Sequence, residues 1–282
     1  MPNWELSRKK EFSNVKIGLV QTNIQNDTSK NLAFVEKSID KLADQGADLI
    51  TLPETFAFLG SDQEMKDHAE PIDGPTLTRL QKKARDKGVF IHCGSILEKR
   101  GDKIFNTSVV FNRQGEQVAS YSKIHLFDIE IAGGIIYRES DVVTAGNDVV
   151  TFDCEGVTVG LSICYDIRFP ELYRKLVEMG ASLILAPAVF TLMTGKDHWE
   201  PLLKARAIEN LCYIAAAGNW GICPPKYNSW GHSMVINPWG TVLVQAADCA
   251  TTIITELDFA FMDSIREKLP ALQHKRRDIF SS

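Results

Sequence analysis

Hydrophobic and polar positions follow two periodicities that alternate along this chain. Short apolar runs rich in β-branched residues are typical of buried strands, and between them lie longer stretches where apolar residues recur every three or four positions, as in amphipathic helices. The clearest helical stretch has its apolar face at Leu32, Val35, Ile39 and Leu42 and a stop signal at Gly46. The pattern therefore predicts strands and helices in alternation from end to end.

The predicted elements can be listed in chain order. Strands are expected over residues 15–23, 48–54, 89–101, 103–116, 117–128, 182–188, 212–219, 232–237, 241–246 and 251–258, with a hairpin over 148–164 that turns at Glu155-Gly156. Helices are expected over residues 29–47, 75–88, 170–180, 198–211 and 259–269. Since no Pro/Ser-rich linker or low-complexity segment interrupts them, we predict a single domain over 1–282, with an N-terminal extension (1–14) and a C-terminal tail (270–282).

A short internal repeat suggests how the strands are arranged. "GADLITLPE" (46–54) and "GASLILAPA" (180–188) are identical at five of nine positions, and both follow a predicted helix. Chance similarity between two apolar strands is the alternative to related halves. Many strands with helices between them favour two sheets packed face to face, with the helices outside.

Composition excludes several classes of function. The formal net charge of −5 argues against a nucleic-acid surface, which needs a basic face. The N-terminus lacks the apolar core of a secretory signal, and no stretch approaches the roughly 18 apolar residues of a membrane span. The six cysteines form no CxxC pair, which predicts reduced thiols in the cytoplasm, and the six histidines show no metal-ligand spacing. We expect no metal and no organic cofactor.

Cys164 is the first candidate for chemistry. It lies where the apolar run "VTVGLSIC" ends, shortly before a helix that Pro170 and Glu171 begin. Such a bend exposes a side chain and brings backbone N–H groups close to a developing oxyanion. An inert buried cysteine is the alternative. A thiol with a pKa near 8.5 is only about 3% ionised at pH 7, so a nucleophilic cysteine needs a base or a cation nearby.

Two charged residues at the ends of other apolar runs could supply that help. Glu54 ends "DLITLPE" and Lys123 lies in the strand-like run "YSKIHLFD", whereas no histidine is close to Cys164 in sequence. The motifs "LPET", "SKIHLFD" and "CYDIRFPE", followed by "YRES", "HWEPLLKARAIEN" and "WGHSMVINPWG", resemble the nitrilase superfamily of carbon–nitrogen hydrolases, in particular its Nit and omega-amidase branch. The resemblance covers about residues 15 to 280. It implies an α/β, four-layer α-β-β-α sandwich that packs as a homodimer or larger assembly.

The resemblance also implies a catalytic set. Cys164 would attack an amide carbonyl, Glu54 would take the thiol proton and pass it to the leaving group, and Lys123 with the backbone N–H of Tyr165 would hold the oxyanion. Water would then hydrolyse the thioester. Glu139 of "YRES" would orient Lys123 or position the substrate, although sequence alone favours a surface carboxylate.

The residues that would bind the substrate are less sharply defined. Besides Tyr165, Arg168 could form a bidentate pair with a substrate carboxylate, or bond to Asp166 or Glu171 in its own turn. His198 and Trp199, predicted to open a helix, could both line the pocket, although a packing role for Trp199 is the alternative. The loop over 217–231 differs from the pattern we associate with this branch.

The expected function is hydrolysis of a small, carboxylate-bearing amide. The omega-amidase and deaminated-glutathione-amidase types of the branch are the models. A true nitrilase, an N-carbamoyl hydrolase and a non-catalytic scaffold are the alternatives.

Overall fold

Two β-sheets lie at the centre of the structure, a computed structural model that describes residues 14–131, 135–224 and 227–280. The strands are β1 (Val15–Gln21), β2 (Leu49–Thr51), β3 (Phe90–His92), β4 (Ile96–Arg100), β5 (Lys103–Phe111), β6 (Gln117–Ser122), β7 (Asp128–Ile131), β8 (Ile135–Arg138), β9 (Thr151–Cys154), β10 (Val157–Leu161), β11 (Leu183–Leu185), β12 (Tyr213–Ala216), β13 (Trp220–Cys223), β14 (Tyr227–Trp230), β15 (Met234–Ile236), β16 (Val242–Gln245) and β17 (Thr251–Leu257). The helices are α1 (Thr28–Asp44), α2 (Asp62–Asp67), α3 (Pro75–Lys87), α4 (Pro170–Glu178), α5 (Leu192–Asn210), α6 (Phe259–Lys268) and α7 (Arg277–Phe280).

The two sheets share one plan. In the described part of the chain, the first sheet has the order β17-β1-β2-β3-β5-β4, with β6 also on β5, and the second has the order β16-β15-β12-β11-β10-β9. Strands β1, β2 and β3 are parallel, as are β10, β11 and β12. The repeated motif therefore forms β2 and β11, which occupy the same central place in their sheets. This favours related halves over chance similarity.

The burial pattern produces four layers. Because successive strand residues point to opposite faces, each sheet has two apolar sides. Leu19 and Leu49 of the first sheet meet Leu161 and Leu183 of the second in one shared core. The outer side of the first sheet packs on α1 and α3, and that of the second on α4 and α5. The predicted α-β-β-α sandwich is confirmed.

Helix α5 begins six residues earlier than predicted. The helix was expected to start at residue 198, but Thr191 caps it, and the Thr191 hydroxyl accepts a hydrogen bond of 3.2 Å from the Thr194 amide. A Cβ at Gly195 would lie 2.3 Å from Cβ of Trp230, so this glycine serves a close packing contact. His198 is consequently inside the helix and not at its start.

Other differences from the predicted elements lie around the ends of the central strands. The single strand expected over 89–101 is divided into β3 and β4 by Gly94, whose Cβ would lie 1.9 Å from the carbonyl oxygen of Pro53. Helix α2 and the hairpins β7–β8 and β13–β14 were not predicted. The strand expected over 117–128 ends at Ser122, so Lys123 lies just beyond it.

Some predictions concern the chain ends. Except for Asn14, the expected N-terminal extension lies outside the described residues, as do Ser281 and Ser282 of the expected tail. No helix within the described ranges is long and apolar enough to cross a membrane.

His92 is enclosed in the middle of the first sheet. Its Nδ1 is 2.6 Å from the Thr51 hydroxyl and its Nε2 is 2.6 Å from the Ser108 hydroxyl. A neutral imidazole can donate at one nitrogen and accept at the other, so it satisfies both contacts. Burial lowers the pKa of His92 from 6.5 to about 3.

This lowered pKa should make the fold sensitive to acid. Below pH 6.5, His92 of the unfolded chain binds a proton, whereas His92 of the folded chain stays neutral until the pH is close to 3. The contribution of His92 to the free energy of unfolding is therefore fully present above pH 6.5 and is lost as the pH falls towards 3. We expect His92→Asn to reduce the pH dependence of the unfolding free energy between pH 6 and 4 by up to about 1.4 kcal/mol per pH unit, measured by urea denaturation. His274→Asn, at an exposed histidine, is the control. Equal slopes in wild type and His92→Asn would contradict the assignment.

Candidate active site

Four predicted residues converge on one cavity of about 480 Å³. Glu54 follows β2, Lys123 follows β6, Cys164 follows β10, and Glu139 begins a short 3-10 turn after β8. All four side chains belong to the cavity wall. Strands of both facing sheets end at this cavity, and this brings together residues that are far apart in sequence.

Lys123 lies between two carboxylates. Its Nζ is 3.0 Å from Oε1 of Glu54 and 2.8 Å from Oε2 of Glu139, and all three side chains are buried. Burial alone would lower the pKa of Lys123, but the charges of Glu139 and Glu54 outweigh it and hold that pKa well above its usual value. The ammonium group is therefore charged and fixed in place. Glu139 is a buried partner of Lys123 and not a surface carboxylate.

Asn106 links the two carboxylates and was missed by the sequence analysis. Its Nδ2 donates to Oε1 of Glu54 at 2.9 Å and to Oε1 of Glu139 at 3.1 Å. Asparagine is depleted in strands, and this one interrupts the apolar run "KIFNTSVVF" of β5. That irregularity was the available signal.

Backbone groups complete the support of both glutamates. The amide of Val189 donates to Oε2 of Glu54 at 2.7 Å, and the amide of Phe127 donates to Oε2 of Glu139 at 2.7 Å. Nδ2 of Asn219 holds the carbonyl oxygen of Glu54 at 2.9 Å. Asn219 belongs to the loop over 217–231, whose sequence differs from the pattern expected for this branch. It contacts the backbone of Glu54 and not its carboxylate.

Cys164 has a strained backbone. Its φ of +48° lies in the left-handed region, which is uncommon outside glycine, and its amide donates to the carbonyl of Pro187 at 2.8 Å. The side chain is partly exposed to the cavity. Burial and the charge of Glu54 raise the pKa of the Cys164 thiol well above its usual value, although Lys123 acts in the opposite direction. The resting group is a thiol, so attack requires that its proton be removed.

Tyr165 and Arg168 are absent from the described wall of the 480 Å³ cavity. They line a small recess of about 10 Å³ together with Phe190, Thr191 and Thr194. The Tyr165 amide is in the first turn of a 3-10 helix, where N–H groups lack an intrahelical acceptor.

The side chain of Arg168 has no carboxylate partner among the described residues. Its guanidinium carbon is 5.8 Å from the centre of the Tyr165 ring and 5.6 Å from that of Phe190. Neither Asp166 nor Glu171 pairs with it in the described ion pairs, which weakens the proposed role in holding the turn. His198 is exposed and contacts Arg168 through Nδ1 at 3.3 Å.

Trp199 and Trp220 do not line the cavity as described. Trp199 is buried, and its Nε1 donates to the His232 carbonyl at 2.9 Å, so packing is its role. Trp220 packs against Gly231, while Pro224 of the same hairpin reaches the cavity wall.

Asp166 joins the two loops that carry Lys123 and Cys164. Its buried carboxylate accepts hydrogen bonds from the Tyr121 hydroxyl at 2.6 Å and the Ile163 amide at 2.8 Å. It also lies 2.7 Å from Nδ1 of His125. Asp166 was considered only as a partner for Arg168, and its actual contacts tie the segment that carries Lys123 to the one that carries Cys164.

A metal centre finds no support in the side-chain arrangement. Throughout the ranges that the structure covers, no three His, Cys, Asp or Glu residues cluster as metal ligands would. The site offers instead a thiol, a carboxylate base and a fixed ammonium group.

Comparison with known proteins agrees with this chemistry. A family model described as carbon-nitrogen hydrolase matches residues 16–267. The mouse protein named omega-amidase NIT2 is 36% identical over 270 residues, covering 96% of this chain and 98% of its own. A deaminated glutathione amidase of Dictyostelium discoideum is 39% identical over 272 residues, covering 93% and 94%. Nit3 of Saccharomyces cerevisiae, described as a member of branch 10 of the nitrilase superfamily, superimposes with a TM-score of 0.86 at 29% identity, covering 95% and 98%.

Proposed function

This chain belongs to the carbon–nitrogen hydrolase family, and from that premise we propose that it cleaves small carboxylate-bearing amides through a thioester on Cys164. That it is an enzyme acting on amides follows from its similarity to the named amidases over most of its length. The observation that carries the mechanism is the placement of Glu54, Lys123 and Cys164 around one cavity.

The first half-reaction forms the thioester. Sγ of Cys164 attacks the amide carbonyl carbon while its proton moves to Glu54, which is necessary because the resting thiol is protonated. The carbonyl oxygen becomes an oxyanion that Nζ of Lys123 and the amide of Tyr165 stabilise. Collapse of the tetrahedral intermediate breaks the C–N bond, Glu54 protonates the nitrogen, and the amine leaves.

The second half-reaction releases the acid. Glu54, again a carboxylate, removes a proton from water, which attacks the thioester carbon. The same oxyanion donors stabilise the second intermediate. Cleavage of the C–S bond returns the proton from Glu54 to Cys164. Glu139 contributes by holding Lys123 at 2.8 Å, and it is proposed as a positioning residue.

Arg168 is proposed to bind the carboxylate of the acyl group. Arg168 lines the recess beside Cys164 together with Thr191 and Thr194, so it lies close to the proposed nucleophile. A charge-assisted hydrogen bond contributes about 1.5–3 kcal/mol. His198, which contacts Arg168, would steady it from outside the recess.

The test compares amides that differ only in this carboxylate. We expect kcat/KM, measured by ammonia release, to be at least about tenfold higher for monoamides of dicarboxylic acids than for neutral amides of equal length. Arg168→Lys should reduce the rate selectively for the acidic amides, because the bidentate geometry is lost. Arg79→Lys, in a surface pair with Glu36, is the control. Similar rates on both substrate types would disprove the carboxylate preference and leave amide hydrolysis intact. Nitriles and N-carbamoyl compounds are included in the same panel to test the alternative reactions.

We also propose that the chain forms a homodimer. Trp239, in the turn between β15 and β16, is 63% exposed, and Ile208 on α5 is 49% exposed. Ile208 lies against the same turn, since a Cβ on Gly240 would be 2.6 Å from its Cδ1. We expect sedimentation equilibrium to give twice the chain mass and Trp239→Glu to lower it, with exposed Ile279→Glu as the control. A monomeric wild type would refute the proposal.

A cytoplasmic location is proposed because the mechanism needs a reduced thiol. All six cysteines are free. Recovery of the protein with an oxidising compartment on cell fractionation would contradict this location.

A further inference from the structure

The two oxygens of the Glu54 carboxylate have different surroundings. Oε1 accepts two hydrogen bonds, from Nζ of Lys123 at 3.0 Å and from Nδ2 of Asn106 at 2.9 Å. Oε2 accepts one from the described chain, donated by the amide of Val189 at 2.7 Å. We propose that Oε2 receives the proton of Cys164, and that Asn106 is a positioning residue that keeps Oε2 available for this step. This inference rests on the function proposed above and adds a residue to its mechanism.

Val189 connects Oε2 to the thiol. Its amide donates to Oε2, and its carbonyl oxygen lies 3.8 Å from Sγ of Cys164, which donates to it. The amide and the carbonyl group of one residue are joined through a single Cα atom, so the carboxylate and the sulfur are held at neighbouring points. Oε1 is bonded to Lys123 and Asn106 instead. The described hydrogen bonds therefore link the sulfur to Oε2 through one residue, and they provide no such link to Oε1.

Both N–H groups of the Asn106 amide are used by carboxylates. Besides the bond to Glu54, Nδ2 donates to Oε1 of Glu139 at 3.1 Å, and an amide nitrogen carries only two hydrogens. The side chain is buried, and its Oδ1 has no hydrogen-bond partner among the residues that the structure covers. Buried polar atoms are normally paired. Rotating the amide by half a turn would place Oδ1 against two carboxylate oxygens, so the orientation with Oδ1 unpaired is the one that serves both glutamates.

The two donors on Oε1 direct the proton to Oε2. A carboxylate oxygen has two lone pairs, and Lys123 and Asn106 occupy both of those on Oε1. The Val189 amide occupies one on Oε2, which leaves the other for the thiol proton. In this step the S–H bond of Cys164 breaks and the proton binds Oε2. The sulfur electron pair forms the bond to the amide carbonyl carbon, and the π electrons of the carbonyl group become the oxyanion.

Loss of Asn106 should allow the carboxylate of Glu54 to turn. Oε1 would keep a single donor, Lys123, which also bonds to Glu139. A displacement of about 1 Å in a catalytic group can lower a rate by about 10²-fold. Because Glu54 transfers protons in the chemical steps of both half-reactions, the loss should appear in kcat and leave KM nearly unchanged.

The experiment replaces Asn106 by leucine, which is similar in size and has no hydrogen-bond donor. We expect kcat for the best amide of the panel described above to fall at least about tenfold, with KM changed by less than about threefold. Formation and hydrolysis of the thioester, followed separately by mass spectrometry of the acyl-enzyme in single turnovers, should both be slower. Circular dichroism at the assay temperature shows whether the variant is folded.

Thr107→Val is the matched control. Thr107 is the next residue of β5 and is also buried, and its hydroxyl lies 3.1 Å from that of Ser122, outside the described wall of the cavity. This variant also removes a buried polar group from the strand, so a loss of stability would appear here as well, but kcat should not change. If Asn106→Leu does not fold, Asn106→Ser takes its place. A hydroxyl has one hydrogen and serves at most one carboxylate, so kcat should fall at least about threefold.

The opposite assignment predicts a different result. If Oε1 were the base, Asn106 would compete with the thiol for it, and its removal would leave kcat unchanged or raise it. That result in a folded Asn106 variant overturns the inference, as does an effect on KM alone or an equal loss of kcat in Thr107→Val. In each of these cases hydrolysis that depends on Cys164 would leave the proposed function standing, whereas a wild type that hydrolyses no amide of the panel would refute both.

Discussion

Replacement of Cys164 by alanine is expected to abolish turnover while leaving the fold intact. Removing the nucleophile of a covalent hydrolase lowers kcat by about 10⁴-fold or more, because no other group can form the acyl-enzyme. The side chain is partly exposed to the cavity, so loss of the sulfur atom removes little packing. Ammonia release measures the activity, and thermal unfolding followed by circular dichroism measures the fold.

The matched control for this variant is Cys249→Ala. Cys249 is the exposed cysteine of the chain, whereas Cys93, Cys154, Cys212 and Cys223 are buried. Its replacement should leave kcat unchanged. Substantial activity in Cys164→Ala, with a normal melting temperature, would show that the thioester mechanism is wrong.

Lys123→Met is expected to lower kcat by about 10²- to 10³-fold, with a smaller effect on KM, because an oxyanion donor acts mainly in the transition state. The structure adds a complication. Glu54 and Glu139 both bond to Nζ of Lys123, so its loss leaves two buried carboxylates without their counter-charge. Breaking a buried ion pair costs about 3–5 kcal/mol, and the melting temperature should fall as well.

A double variant separates the two roles of Lys123. Adding Glu139→Gln to Lys123→Met removes one of the two uncompensated charges, so stability should recover in part. If Lys123 stabilises the oxyanion, kcat stays low in the double variant although the melting temperature rises. Recovery of kcat together with stability would mean that Lys123 only neutralises charge, and it would then leave the catalytic set.

The sequence was most informative where chemistry interrupts an apolar run. Glu54, Lys123 and Cys164 each lie at the edge of a separate apolar run, and that was visible without any coordinates. Which strand ends meet depends on how the two sheets pack, and only the family resemblance predicted that. Asn106 and Asp166 were missed as supports because their roles arise from contacts with residues distant in sequence.

The errors in secondary structure have a common cause. Gly195 lies in the part of a helix that was not predicted, because the indole of Trp230 needs the space of a side chain there. Gly94 was read as part of a strand, but it divides one because the carbonyl of Pro53 lies too close. In both cases a tertiary contact determined the local conformation. A single sequence does not reveal such contacts.

The pairing of β1 with β17 has a consequence for biosynthesis. The antiparallel register runs from Val15–Leu257 to Gln21–Thr251, so the first strand of the chain is completed by the last. During translation β1 is synthesised early, but the edge that pairs with β17 stays unpaired until nearly the whole chain has been synthesised. Exposed strand edges favour aggregation, and contacts between distant residues slow folding. A chain that terminates before residue 251 would therefore be expected to depend strongly on chaperones, even though every group of the catalytic cavity had already been made.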